Sequence, residues 1–261
     1  MKITIVGASG RMGLAVARLA KAEGATIVGA VVSPRSTAVG EDIGEAAGVE
    51  TAGVVMSADL SAGLLGADVA IDFSNAAAVP ELLRAAMRAR VAVVSGTTRL
   101  EPAAERLLDE AAKVIPVLWS PNTSVGVHLL AELVTRAIQK LGPGYDVEVI
   151  EAHHRAKVDA PSGTAMRLVD AAKAARAELE PVFGREGNVG PRVEREVGVH
   201  AVRGGDVIGE HTVHLLGPGE RIELTHRATS RDLFARGALR AARFLVGKPP
   251  GRYAMVDVLG G

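Results

Sequence analysis

The chain of 261 residues contains no cysteine. That absence excludes disulfides, thiolate metal sites and thiol nucleophiles together. Nor is there an excess of charge: 30 Lys and Arg face 30 Asp and Glu. A balanced chain gives no support for a nucleic-acid or membrane-surface partner, so any anion must be recognised locally. No window approaches the roughly 18 unbroken apolar residues of a membrane span. Met1 leads directly into a strand-like run, without the charged and apolar regions of a leader. A cytoplasmic protein is the expectation. Internal repeats and low-complexity tracts are also missing from the sequence.

What is present is ordinary for a globular protein, with 48% hydrophobic and 23% charged residues. The length suffices for one large domain or two smaller ones. Residues 2–6, 25–32, 68–73, 91–94 and 115–119 are short apolar runs and are predicted to be strands. Helical patterns at 11–22, 76–89 and 101–113 separate them. Such alternation implies a parallel sheet covered on both faces. Residues 40–67 read as loop with a short strand near 53–56. After Pro121 the pattern changes. Residues 124–140 and 164–179 read as helices, and 145–153, 193–202, 207–216 and 221–228 as strands. Gly204-Gly205-Asp206 and Gly217-Pro218-Gly219 look like hairpin turns. This predicts an antiparallel α+β unit, followed by a helix at 231–246 and a short strand at 253–259.

Gly7, Gly10 and Gly13 lie between the first strand and the first helix. Glycines there let a pyrophosphate approach backbone amides at a helix N-terminus. The spacing is G-x-x-G-x-x-G rather than G-x-G-x-x-G. NAD selectivity places an acid at the end of the second strand. Here Ser33-Pro34-Arg35-Ser36 stands there, with no acid before Glu41. Arg35 and Arg11 are candidates for a 2′-phosphate, favouring NADPH over NADH; the alternative makes Arg35 a solvated loop residue. Ser95-Gly96-Thr97-Thr98 and Ser120-Pro121-Asn122-Thr123 also follow strands on the same sheet edge. Their polar groups suit a nicotinamide carboxamide, or serve as turn and cap chemistry.

Residues 151–165, EAHHRAKVDAPSGTA, concentrate proton-transfer and anion-binding groups. His153 and His154 are adjacent on a strand and so point to opposite faces, which is poor geometry for chelating one metal. Separate roles in proton donation and anion contact fit better. Lys157 brings a cation, and Ser162-Gly163-Thr164 opens a helix whose amides suit a carboxylate. Ser162 as a simple N-cap is the alternative.

The chain resembles the 4-hydroxy-tetrahydrodipicolinate reductase family, formerly dihydrodipicolinate reductase, nearly end to end. The resemblance rests on VGASGRMG (6–13), IDFS (71–74), SGTT (95–98), SPNTSVGV (120–127), the 151–165 segment and GEHTVHLLGPGERIELTHRATSRDLFARGALRAARFL (209–245). It implies NADPH- or NADH-dependent reduction of a cyclic imine dicarboxylate in diaminopimelate and lysine biosynthesis. It implies a Rossmann-type dinucleotide-binding domain, residues 1–122 and 231–261. The α+β domain of residues 123–230 would bind substrate through a mixed, largely antiparallel sheet and build a homotetramer. By the same resemblance His153 is the proton donor and Lys157 its partner, with His154, Gly163 and Thr164 on a substrate carboxylate. Gly7, Ala8, Ser9, Gly10, Arg11, Met12, Phe73, Gly96, Thr97, Thr98, Ser120, Pro121, Asn122 and Thr123 would contact the cofactor. Thr123 stands where Phe or Met is frequent, and Arg99 where glycine is common, which bears on cofactor affinity. Two other readings are an amino-acid or semialdehyde dehydrogenase of like architecture and a dinucleotide sensor without turnover.

Overall fold

A computed structural model describes residues 1–260. The chain opens with β1 (Lys2–Val6), α1 (Arg11–Ala20), β2 (Thr26–Val31), α2 (Ile43–Ala46), α3 (Leu60–Gly63), β3 (Val69–Asp72) and α4 (Val79–Ala89). It continues through β4 (Ala92–Ser95), α5 (Pro102–Ala112), β5 (Pro116–Trp119), α6 (Val125–Leu141), β6 (Asp146–His153), α7 (Gly163–Ala175) and β7 (Glu180–Phe183). It closes with β8 (Glu196–Arg203), β9 (Gly209–Gly217), β10 (Glu220–Ala228), α8 (Asp232–Leu245), β11 (Gly251–Tyr253) and α9 (Met255–Leu259). Two compact units result, Met1–Val125 with Arg231–Gly261, and Gly126–Ser230.

The first unit holds a six-stranded parallel sheet in the order β11-β5-β4-β3-β1-β2. β3 and β4 are buried along their whole length, as strands covered on both faces must be. Alternate side chains feed two apolar layers. Ile3, Ile5, Ile71, Val94 and Leu118 join Val16, Leu19, Leu239 and Leu245 of α1 and α8 on one face. Val6, Ala70, Val93 and Val117 join Leu82, Leu83, Leu107 and Leu108 of α4 and α5 on the other. Each fully buried Leu or Ile contributes roughly 1.5–3 kcal/mol. The chain direction across the sheet reverses beside β1, and ligands bind such sheets beyond the carboxyl strand ends at that point.

Residues 40–67 are more ordered than expected. Two single-turn helices replace the loop, and the strand near 53–56 reduces to an isolated bridge, Asp42 with Val55. Side chains build this region. Asp42 accepts from the amides of Gly44 (2.8 Å), Ala52 (2.9 Å), Val54 (3.0 Å) and Glu45 (3.2 Å), and Asp59 caps α3. The terminal segment is also different. β11 precedes it, and residues 255–259 are helical instead of extended, because Asp257 accepts from the Ala254 amide at 2.7 Å and Gly260 ends the turn at φ +85°.

The second unit holds a five-stranded sheet in the order β10-β9-β6-β8-β7. It is mixed: β9 runs antiparallel to β6 and β10, whereas β8 runs parallel to β6 and β7. β9 and β10 form the hairpin expected at Pro218-Gly219. The turn at 204–206 is no hairpin, because β6 lies between β8 and β9. β7 is an unexpected strand. One sheet face packs Val147, Val149, Val197, Val199, Val213 and Leu215 against α6 and α7. On β6 the other parity places Glu148 opposite His200 and Arg185, at 2.9 Å from each, and Arg192 at 3.0 Å.

Candidate active site

In the first unit a cleft of about 480 Å³ is lined by Gly10, Arg11, Met12, Phe73, Ser74, Gly96, Thr97, Thr98, Pro121, Thr123, Arg231 and Phe234. It lies beyond the carboxyl ends of β1, β3, β4 and β5. Nine of the expected cofactor residues are therefore gathered there. Gly7 and Ala8 sit behind the turn, their amides donating to the Val31 carbonyl at 2.9 and 3.0 Å. Gly10 caps α1 with no side-chain bond, and the first turn carries no acid. That helix start is open to an anion, so the residues present fit a dinucleotide pyrophosphate. Ser9 is exposed and its hydroxyl lies 3.3 Å from that of Ser36. Arg35 is exposed in the loop after β2 and is not part of the cleft lining.

Sequence reading missed the group that braces this cleft. Asp72, fully buried at the end of β3, accepts from the hydroxyls of Ser74 (2.5 Å), Ser95 (2.6 Å) and Thr97 (2.9 Å) and the Ser74 amide (2.9 Å). Trp119 donates to the Thr97 carbonyl at 2.8 Å. Ser120 donates to the Asn122 carbonyl, the Asn122 side chain accepts from the Ser124 amide, and Thr123 donates to the Phe234 carbonyl. Arg99 takes φ +58°, in the left-handed region where glycine is favoured.

In the second unit the 151–165 segment closes on itself. Glu151 and His153, two apart on β6, share one face, as strand periodicity requires. Both are buried, and the His153 Nδ1 lies 2.5 Å from Glu151 Oε2. Arg203 grips both Glu151 oxygens, at 2.7 and 2.8 Å, and the Ser162 amide donates to Oε1 at 3.0 Å. Burial pushes the Glu151 carboxyl up, but Arg203, His153 and that amide hold it below the usual carboxylate range. Burial also lowers the His153 pKa; Glu151 opposes this, and the charges of Lys157 and Arg203 reinforce it. Lys157 lies 2.8 Å from both Asp159 oxygens. His154 is half-buried and its carbonyl accepts from the Lys157 amide. Ser162 caps α7 through the Ala165 amide at 3.1 Å, while Gly163 and Thr164 form the first turn.

His211 on β9, which the sequence did not single out, packs edge-on against His153, with ring centroids 5.2 Å apart. Its Nε2 lies 3.1 Å from the Ser162 hydroxyl. Burial, helped by the neighbouring His153, pushes its pKa down to about 4. The folded state thus prefers neutral His211, and its contribution, fully present above about pH 6.5, is lost as pH falls towards 4. Burial pushes Glu148 up, but Arg185, His200 and Arg192 hold it down at about 2, so its contribution is lost between about pH 4.5 and 2. Urea unfolding should show stability declining below about pH 6.5, and His211→Asn should make the decline between about pH 6.5 and 4.5 shallower without abolishing it, because burial lowers the His153 and His226 pKa values as well. A flat profile between pH 6.5 and 4.5 would contradict this assignment.

The glycine turn on a doubly wound parallel sheet, and the buried histidine of the second unit, define a dinucleotide-dependent oxidoreductase. Comparison with known proteins narrows this. Residues 1–123 match the family model "Dihydrodipicolinate reductase, N-terminus", and residues 126–259 match "Dihydrodipicolinate reductase, C-terminus". The chain belongs to the dihydrodipicolinate reductase family. It is 50% identical over 263 residues to the 4-hydroxy-tetrahydrodipicolinate reductase of Anaeromyxobacter dehalogenans (strain 2CP-1 / ATCC BAA-258), covering 99% of this chain and 97% of that one. It is 47% identical to that of Myxococcus xanthus (strain DK1622), covering 100% and 98%. A dipicolinate-bound dihydrodipicolinate reductase from Paenisporosarcina sp. TG-14 shares the fold, with a TM-score of 0.78, 22% identity and 97% of each chain covered.

Proposed function

We propose that this chain reduces 4-hydroxy-tetrahydrodipicolinate to tetrahydrodipicolinate, in the route to diaminopimelate and lysine, with His153 as the general acid. The observation that carries the residue assignment is the clamp on His153. One ring nitrogen is held by a buried carboxylate, which leaves Nε2 for the substrate. A nicotinamide dinucleotide supplies the hydride when bound. Loss of the substrate's 4-hydroxyl as water gives the conjugated cyclic imine; hydride addition to it leaves an electron pair that must be protonated, and His153 delivers that proton. Lys157 offsets negative charge. His154 and the amides of Gly163 and Thr164 receive a substrate carboxylate, as helix N-termini do.

The cofactor binds at Gly7, Ala8, Ser9, Gly10, Arg11 and Met12, with Phe73, Gly96, Thr97, Thr98, Ser120, Pro121, Asn122 and Thr123 around the nicotinamide end. Arg11 and Arg35 meet the 2′-phosphate of NADPH. Charge-assisted bonds to phosphate are worth roughly 1.5–3 kcal/mol. Arg35→Ala should therefore raise the KM for NADPH by about 10-fold or more, with little change for NADH. Equal effects on both cofactors would remove Arg35 from the site. The protein acts as a cytoplasmic homotetramer; support comes from the sheet face of the second unit away from α6 and α7, where Ile150 and Val202 are 38% and 53% exposed. No helix among the described residues is long and apolar enough to cross a membrane.

The test of the reaction is oxidation of NADPH by the full chain with substrate freshly generated by the upstream synthase, and aspartate as control. Turnover with the synthase product alone is expected. Turnover with aspartate alone would overturn the proposal in favour of an amino-acid dehydrogenase.

A further inference from the structure

The network behind His153 is larger than a single hydrogen bond. Arg203 is the last residue of β8 and the register partner of His153 across the parallel β6–β8 pair. Its guanidinium reaches both Glu151 oxygens and also the Asp159 carbonyl, at 2.8 Å. Asp159 in turn holds Lys157. One cation therefore touches the carboxylate that orients His153 and the loop that carries Lys157. Glu151 has both oxygens satisfied by four donors, two from Arg203 and one each from His153 and Ser162. On the far side of the ring, a Cβ at Gly209 would lie 3.0 Å from the His153 Nε2, so glycine there keeps that nitrogen clear.

We propose that Glu151 and Arg203 are positioning residues for proton delivery. Glu151 selects the His153 form with hydrogen on Nδ1, and Arg203 holds Glu151 and the Lys157 loop in one frame. This rests on the reading of His153 as proton donor. In the step itself the Nε2–H bond breaks with its electron pair staying on nitrogen. The substrate's electron pair, left by hydride addition, forms the new C–H bond. His153 is then neutral with hydrogen on Nδ1, still bonded to Glu151, and regains its Nε2 proton from solvent. Arg203 matters for the energetics as well as the geometry. An uncompensated carboxylate beside an imidazolium would hold its proton too tightly. Here the His153 pKa is lowered despite that carboxylate, because burial, Lys157 and Arg203 act in the other direction.

The charged and titratable groups facing His153 are Glu151 on β6, Lys157 and Asp159 on the following loop, Arg203 on β8 and His211 on β9, with His226 of β10 next to His211. The experiment is the pH dependence of kcat/KM in the full chain, with NADPH affinity measured in parallel. Activity falls as pH rises through the pKa of the donor. Glu151→Gln removes the anion, so the alkaline limb should move to lower pH. Arg203→Met removes a cation, so the limb should move to higher pH. Both should lower kcat by about 10²-fold or more, as loss of an orienting carboxylate does elsewhere, with NADPH affinity unchanged. Where one variant fails to fold, the charge-neutral pair Glu151→Gln with Arg203→Met decides, with the same loss of kcat expected.

Limbs that stay in place in both single variants, or kcat and NADPH affinity falling together in every variant, would reduce the network to a structural ion pair and overturn the proposal. His153→Gln separates the two readings. If it turns over normally, the proton-donor assignment falls and this inference with it. If it is slow while Glu151→Gln keeps the wild-type rate and limb, only the positioning role falls.

Discussion

Replacement of His153 by glutamine is expected to lower kcat by about 10²–10⁴-fold, the range that a positioned general acid supplies. The KM for the nicotinamide cofactor should not change, because the glycine turn and its cleft belong to the other compact unit. Glutamine keeps much of the ring's volume and can still bond Glu151, so the β6 end should remain folded. What it lacks is a titratable proton. Loss of kcat with intact cofactor binding is the signature of an interaction made in the transition state.

The pH dependence gives the same prediction a second form. Burial, the largest influence, lowers the His153 pKa below 6.5, with Lys157 and Arg203 in support and Glu151 opposing. In the proposed step the donor is the imidazolium. Its population in the free enzyme falls as pH rises through that lowered pKa, so kcat/KM should decline from mildly acidic pH upward. The His153→Gln variant should lose this limb and show a residual rate independent of pH across it. Normal turnover by the variant, or retention of the limb, would exclude His153 as donor. Lys157→Ala should also lower kcat if its ammonium offsets charge on the substrate, with cofactor affinity preserved because Lys157 belongs to the unit without the glycine turn.

The parts of this site that the sequence displayed are those carried by local pattern. Gly7, Gly10 and Gly13 stand out between a strand and a helix, and His153, His154 and Lys157 crowd one short segment. Glu151 was visible in that segment, and period-2 alternation alone puts it on the face of His153. Its meaning needed Arg203, which lies more than fifty positions away and meets it only through the pairing of β6 with β8. Asp72 was hidden for the same reason. It reads as one residue of a buried strand, until the β3–β4 register sets it opposite Ser95. Local structure escaped where one side chain organises the backbone, as Asp42 does for residues 42–54 and Asp257 for the last helix. β7 escaped because a four-residue strand containing Pro181 sits at a sheet edge, where pattern is weakest and proline is tolerated.

The second large effect is expected at Gly7. Gly7→Ala should cost about 2–5 kcal/mol of stability and weaken dinucleotide binding sharply. Two separate penalties add. Gly7 takes φ +77°, and a left-handed conformation costs a residue with a Cβ roughly 1–2 kcal/mol. The new Cβ would also lie 2.6 Å from the Phe73 carbonyl oxygen and 2.8 Å from the Ser74 amide nitrogen, which are backbone atoms at the end of β3. Overpacking of that kind costs roughly 1–3 kcal/mol. Relief requires the turn to move away from β3, and the same turn sets the start of α1, the proposed seat of the pyrophosphate. Gly24→Ala isolates the first penalty, because Gly24 takes φ +68° and a Cβ there would meet nothing within 4 Å. At about 2–4 °C per kcal/mol for a chain of this size, the Gly7 variant should melt several degrees below the Gly24 variant. Only the Gly7 variant should lose affinity for NADPH. If the two melt together and bind NADPH alike, then the close approach of Gly7 to β3 does not shape the turn, and the cofactor seat must be built from other residues.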